Sequence, residues 1–206
     1  MSTNQTRVLP NNERRVEIPY LLNHVRGKTL LDVGKDRDDY YTSALKDMGI
    51  VVTSCDPWDG AHADYTLRFE DLRVSTRFDT ILFLSSLEHF APNDGNLSLM
   101  HDDIAALNKC RDLLNPDGRI ILTVPYGKER IYYDKGKPDF IQWSDSRVWF
   151  LKHMTGLTAE HEMVMRWKDG EWIPVIPDEW RGLWELEYRS NGAMNASAVY
   201  MATWRF

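Results

Sequence analysis

The chain has 206 residues, a formal net charge of −6 and a 12% aromatic content. That length suffices for one complete hydrophobic core, and the acidic balance argues against a nucleic-acid groove as the default partner. No apolar run is long enough to span a bilayer, and the polar start MSTNQTRVLPNNERR lacks the apolar centre of a signal peptide, so a cytoplasmic protein is expected.

Residues 1–12 read as a disordered tail and 13–206 as a single domain. Ile18, Leu21, Leu22 and Val25 recur at helical spacing, which predicts a helix over 13–25. The run from Thr29 to Asp56 then reads as strand, tight loop, helix, strand. Thr29–Val33 is β-rich and stops at Gly34. Tyr41, Ala44, Leu45 and Met48 share one helical face, with Gly49 as a cap, and Ile50–Thr53 is a second buried strand ending on Cys55 and Asp56. A β-α-β unit with an acid about 20 residues after its loop is the nucleotide-binding half of a doubly wound sheet, where that acid takes ribose hydroxyls. Asp32, two residues before Gly34, would attract a cationic amino group and repel phosphate. The loop carries one glycine and then Lys35-Asp36-Arg37-Asp38, not the G-x-G-x-x-G of a dinucleotide fold.

Farther along, 63–69 is a weak third strand, and 77–85 is apolar throughout and therefore a central strand. Ser85, Ser86, Glu88 and His89 follow its carboxyl end, where ligands of such sheets bind. Residues 96–114 form an amphipathic helix, with His101, Asp102 and Asp103 read as a solvated first turn, not a metal site. Asn115–Gly118 is a turn and 119–125 the fifth strand. The polar segment from Tyr126 to Phe140 reads as a substrate lid. A helix capped by Ser144 or Asp145 runs to Thr155, and Lys168–Glu171 is a hairpin signal between strands at 157–167 and from Trp172. The last strand is 198–206. Cys55 and Cys110 are expected as free thiols, with no zinc-site spacing in the chain. Seven of the eight tryptophans lie after residue 140; they suit terminal packing or a homodimer surface, or flat faces for sugar C–H edges.

The pieces LLDVG with Asp56, F-D-x-I…L-E-H over 78–89, and LLNPDGRIILTVPYGK resemble the motifs of class I S-adenosylmethionine (SAM) methyltransferases. Together with RRVEIPYLL and SSLEHF they look like methyltransferase-like proteins of polysaccharide and glycan biosynthesis. That resemblance implies a Rossmann-like, doubly wound, mostly parallel sheet of seven strands with a C-terminal antiparallel hairpin. It implies SAM as cofactor, no metal, and O-methylation of a small-molecule or sugar hydroxyl. By the same resemblance Asp32 and Gly34 hold the methionine end, with Lys35, Pro57 and Ser85 beside the cofactor. Asp56 takes the ribose, and Asp71 and Leu72 the adenine, with Asp64 as the other acid considered there. His89 is the candidate base and Glu88 its orienter or substitute. Tyr126, Tyr132 and Tyr133 would line the acceptor pocket. A methyltransferase fold without catalysis, acting as a binding partner, and a nucleotide-dependent oxidoreductase are the alternatives; the charged loop after Gly34 keeps the first open.

Overall fold

A computed structural model of the chain describes residues 12–35, 40–90, 102–185, 189–190 and 194–206. The first helix, α1 (Arg14–His24), leads into β1 (Thr29–Val33), α2 (Thr42–Asp47) and β2 (Val51–Asp56). A two-residue strand, β3 (Tyr65–Thr66), precedes β4 (Phe78–Leu84), and α3 (Asp102–Leu113) runs into β5 (Leu114–Pro125). A hairpin of β6 (Arg130–Asp134) and β7 (Lys137–Gln142) follows, then α4 (Asp145–Thr155), β8 (Thr158–Lys168) and β9 (Glu171–Val175). The chain closes with the short pair β10 (Arg189–Ser190) and β11 (Met194–Asn195) and the long β12 (Ala198–Arg205).

The main sheet has the order β3-β2-β1-β4-β5-β12-β8-β9. Strands β1 to β5 pair in parallel, and β12 enters antiparallel between β5 and β8. The sheet therefore has eight strands and not the expected seven: β9 folds back on β8 at the outer edge through Asp169 and Gly170, both with positive φ. The hairpin signal is thus correct, and it adds a strand beyond the seven.

Alternate residues of the inner strands go to opposite faces, as the pleat requires. Ile81, Phe83, Ile120 and Leu122 pack with Leu107, Cys110 and Leu151 of α3 and α4. Leu82, Leu84 and Ile121 pack with Ile18, Leu21 and Leu45 of α1 and α2. Helices thus cover both faces of the sheet, and the strand ends are left to form a site. At the amino end, away from that site, Asp79 ties β4 to β1. Its Oδ2 accepts from the Lys28 and Thr29 amides at 2.7 and 3.0 Å, and Asn115 donates to its Oδ1 at 2.7 Å. These bonds, led by the Lys28 amide, hold the Asp79 carboxyl below its ordinary range.

Four further expectations change. The turn at 115–118 is an irregularity inside β5, where the pairing with β4 jumps from Leu114 to Arg119 and Asp117 takes φ +64°. The lid proposed for 126–140 contains the β6–β7 hairpin, turned by Lys135 and Gly136. Asp103 is buried and ion-paired with Arg147 at 2.5 Å, not solvated; His101 lies outside the described residues. Asn12 is anchored, taking the Trp172 indole N–H at 3.2 Å, while the rest of the expected tail lies outside the described residues. Both cysteines are free and buried. No helix among the described residues is long and apolar enough to cross a membrane.

Candidate active site

A cleft of about 390 Å³ opens at the carboxyl ends of β1, β2 and β4. Its walls come from five pieces of chain: Val33, Gly34 and Lys35 after β1; Cys55, Asp56 and Pro57 after β2; Arg68, Phe69 and Glu70; Leu84, Ser85 and Ser86 after β4 with His89 and Phe90; and Arg14 of α1. This is the crevice in which open α/β sheets bind ligands.

Gly34 is required at its position on two counts. Its φ is +83°, and a Cβ there would lie 2.3 Å from the Ser86 Cβ. The Ser86 hydroxyl donates to the Val33 carbonyl at 2.5 Å, and the Gly34 amide to the Cys55 carbonyl at 2.9 Å. The backbone is thereby brought close to the β4 end, leaving a cradle free of side chain. Asp32 itself is fully buried and takes the Tyr41 hydroxyl at 2.7 Å. It does not line the cleft, so it shapes the β1 end from beneath. Asp36 and Asp38 lie outside the described residues.

Asp56 stands at the tip of β2. Its Oδ1 accepts the Trp58 amide at 2.7 Å, which fixes the carboxylate. Burial pushes its carboxyl up, against the Trp58 amide and the charge of His89, which act the other way. Cys55 beside it is pushed up to about 12, first by burial and then by Asp32. Lys35 reaches across the rim to the His62 carbonyl at 3.1 Å.

The wall opposite differs from expectation. Asp71 is exposed and outside the cleft, and Leu72 is in the core. The residues facing the cleft are Phe69 and Glu70, because the 3-10 turn Phe69–Asp71 rotates Asp71 away. Asp64 accepts from the Ser54 amide and hydroxyl, both at 2.8 Å, so it clips a loop to β2. The turn is held from behind by Lys109 of α3, whose ammonium donates to the carbonyls of Phe69, Glu70 and Leu72 at 2.6, 2.9 and 2.8 Å. Nothing in the local sequence around Lys109 signals that task.

Ser85 follows β4 with φ +47°, a left-handed conformation that a serine adopts only when neighbours enforce it. Its amide donates to the Thr123 carbonyl and hydroxyl, and its hydroxyl donates to Glu17 Oε1 at 2.5 Å. Glu17 is fully buried and also receives Arg14 Nη1 at 2.5 Å.

A second, smaller cavity of about 180 Å³ adjoins the cleft, sharing Arg14, Ser85 and His89 with it. Glu13, Glu88, Pro125, Asp139, Phe140, Ala196 and Val199 complete its walls. His89 therefore stands where the two spaces meet. Its Nδ1 lies 3.4 Å from the Asp139 carboxylate and 3.1 Å from the Asp139 carbonyl. The carboxylate beside His89 is that of Asp139 from β7, not that of Glu88. Glu88 is buried, and burial drives its carboxyl well up, with Glu17 adding to the rise.

The predicted tyrosines do not converge on either space. Tyr126 is buried in the core against Tyr200 and Trp180. Tyr133 is exposed, and Tyr132 stacks on Phe140 at 4.8 Å, buttressing the cavity from outside. Phe140 is the residue that reaches the cavity, and it pairs directly across the hairpin with Tyr132, so the two rings share one face. Trp143 and Trp204 are core residues, and no described tryptophan side chain lines either space. Among the described residues no group of three or more His, Cys, Asp or Glu is placed to hold a metal ion.

No protein-family model matches the chain, and no curated protein matches it by sequence. Solved structures do match. The chain is similar to 1,6-didemethyltoxoflavin-N1-methyltransferase from Burkholderia thailandensis, solved with 1,6-didemethyltoxoflavin and S-adenosylhomocysteine (SAH). The TM-score is 0.60 at 19% identity, over 92% of this chain and 76% of that one. It is similar to the CcbJ methyltransferase from Streptomyces caelestis, with TM-score 0.60 at 10% identity over 97% and 93% of the two chains. It is also similar to the N-methyltransferase NodS from Bradyrhizobium japonicum, solved with SAH, with TM-score 0.51 at 12% identity over 94% and 85%. The chain has the fold of SAM-dependent methyltransferases.

Proposed function

We propose that this chain is a SAM-dependent methyltransferase acting on a small-molecule acceptor. The observation that carries the proposal is the cleft at the ends of β1, β2 and β4, in a fold whose solved examples above include two with SAH bound. The residues present fit such a cofactor. Asp56 offers a fixed carboxylate to ribose hydroxyls. The Gly34 cradle leaves room for backbone contact with the methionine end. Phe69 and Glu70 supply a flat apolar face and an acceptor for the adenine amino group.

When bound, SAM supplies a methyl group on a positively charged sulfur. The chain's own part is then to align an acceptor, exclude water and accept a proton, and alignment is the larger part of the rate. His89, at the junction of the two spaces, takes the proton from the acceptor's nucleophile. Asp139 keeps the imidazole turned toward that task. The motif likeness to glycan-cluster proteins favours a sugar-based acceptor, and either a hydroxyl or an ammonium on it needs such a base. A binding-only role for the fold would leave His89 without this use.

Equilibrium dialysis against methyl-labelled SAM, with ATP and NAD as controls, tests the proposal. Retention of SAM alone supports it. Retention of NAD in its place would move the chain to the oxidoreductase alternative, and retention of none of the three would leave the binding-partner reading.

A further inference from the structure

The inner cavity is lined by three acids, Glu13, Glu88 and Asp139, and by two basic residues, Arg14 and His89. Arg14 is engaged with Glu17 at 2.5 Å, and His89 with Asp139 at 3.4 Å. That leaves Glu13 and Glu88. Each has a buried carboxylate oxygen, Oε2, with no hydrogen-bond partner among the described residues. Glu88 is 4% exposed and yet lines the cavity. A buried carboxylate oxygen left without a donor is costly. Both residues line one small space, and two acids there suit a group with several N–H donors and a positive charge.

Resting on the methyltransferase reading above, we infer that the inner cavity binds a protonated amine of the acceptor, held between Glu13 and Glu88, and that nitrogen is the atom methylated. Pro125, Phe140 and Val199 give the remaining wall an apolar character that suits the carbon skeleton carrying the amine. An ammonium has three donors. Two meet Glu13 and Glu88, and the third faces His89 at the mouth of the cofactor cleft. His89 removes that proton to solvent, since half of its side chain is exposed. The freed nitrogen lone pair forms the N–C bond to the methyl carbon, the C–S electron pair stays on sulfur, and the products are a methylated ammonium and SAH. Charge and atoms balance without a further reactant. A neutral hydroxyl has one donor and cannot serve both acids.

The chemistry of Glu13 agrees with this arrangement. Burial, reinforced by the charge of Glu17, raises its carboxyl to about 7, while the amides of Glu13 and Ala196 and the Arg14 charge pull it down. Burial thus disfavours the charged form of both acids, and a cation beside them would favour it.

The test is a calorimetric titration of the whole chain, with and without SAH, using two matched pairs of probes: glucosamine against glucose, and benzylamine against benzyl alcohol. The amine of at least one pair is expected to bind tenfold or more tightly than its hydroxyl partner. Glu88→Gln and Glu13→Gln should each abolish that preference, and Glu88→Gln should leave SAH affinity within about twofold. Neither amine exceeding its partner would overturn the inference, as would a preference that survives both substitutions. SAH is titrated separately, so failure to bind it would count against the cofactor reading while the amine preference is still measured on its own.

Discussion

The Ser85 hydroxyl donates to Glu17 Oε1 at 2.5 Å and so joins the end of the central strand to the first helix. The two residues are 68 positions apart. The bond, with Arg14 on the other oxygen, makes α1 part of the site and not only a cover for the sheet. Arg14 reaches both the cleft and the inner cavity because Glu17 is held in this way.

Ser85→Ala removes that donor and leaves the buried Glu17 carboxylate with Arg14. A hydrogen bond to a charged group contributes about 1.5–3 kcal/mol, so a loss of that order is expected in urea unfolding. Faster amide exchange in α1 than in α4 would show that the loss is local to the latch.

Gly34→Ala places a methyl group 2.3 Å from the Ser86 Cβ at a φ of +83°. The left-handed backbone alone costs a non-glycine residue about 1–3 kcal/mol, and the overlap adds to it. The variant should melt earlier and lose SAH binding. Gly136→Ala, at φ +80° with no atom near its Cβ, is the control for strain without overlap, and it should retain SAH affinity.

His89→Ala should lower kcat by about 10²–10⁴-fold, the usual contribution of a positioned base. Asp139→Asn should lower kcat by about tenfold or more, with partial recovery in Asp139→Glu. Turnover unchanged in His89→Ala would remove it as the base.

Stability of the free protein should depend on pH through Glu13. Burial pushes its carboxyl from an ordinary value of 4.5 up to about 7 in the folded chain. Between those values the folded state holds a proton that the unfolded chain has lost, so stability falls as pH rises through that window and is level below it. One pKa unit corresponds to about 1.4 kcal/mol, and with partial solvent access the net effect is on the order of 1–3 kcal/mol. Glu13→Gln, neutral throughout, should flatten the dependence and raise the melting temperature at pH 8 by a few degrees.

The order of elements was legible because each rests on a local signal. The apolar run of β4, the Gly156 stop of α4 with Ser144 as its cap, and the Asp169-Gly170 turn carry their structure in adjacent residues. The expected count of seven strands failed where β9 extends the edge, since a hairpin signal says that two strands pair and not where the second lies in the sheet. The cleft was half legible. Gly34, Lys35, Asp56, Pro57, Ser85 and His89 line it, while Glu70 faces it and Asp71 does not. A one-residue difference in a 3-10 turn reverses which side chain faces inward, and the spacing of acids does not reveal that rotation. The inner cavity was the least legible part. Glu13 and Asp139 come from segments far from His89 in sequence, and no periodicity connects them. The tyrosines were misplaced for a related reason: Tyr126 continues β5 into the aromatic core with Tyr200, which only the antiparallel entry of β12 makes available.

The most direct measurement is calorimetric titration of SAH into the wild-type chain and into Asp56→Ala. Micromolar binding to the wild type, about −8 kcal/mol, with a loss of tenfold or more in the variant, is the predicted result. No binding to the folded wild type, or equal binding to both proteins, would contradict the assignment of this cleft to the cofactor.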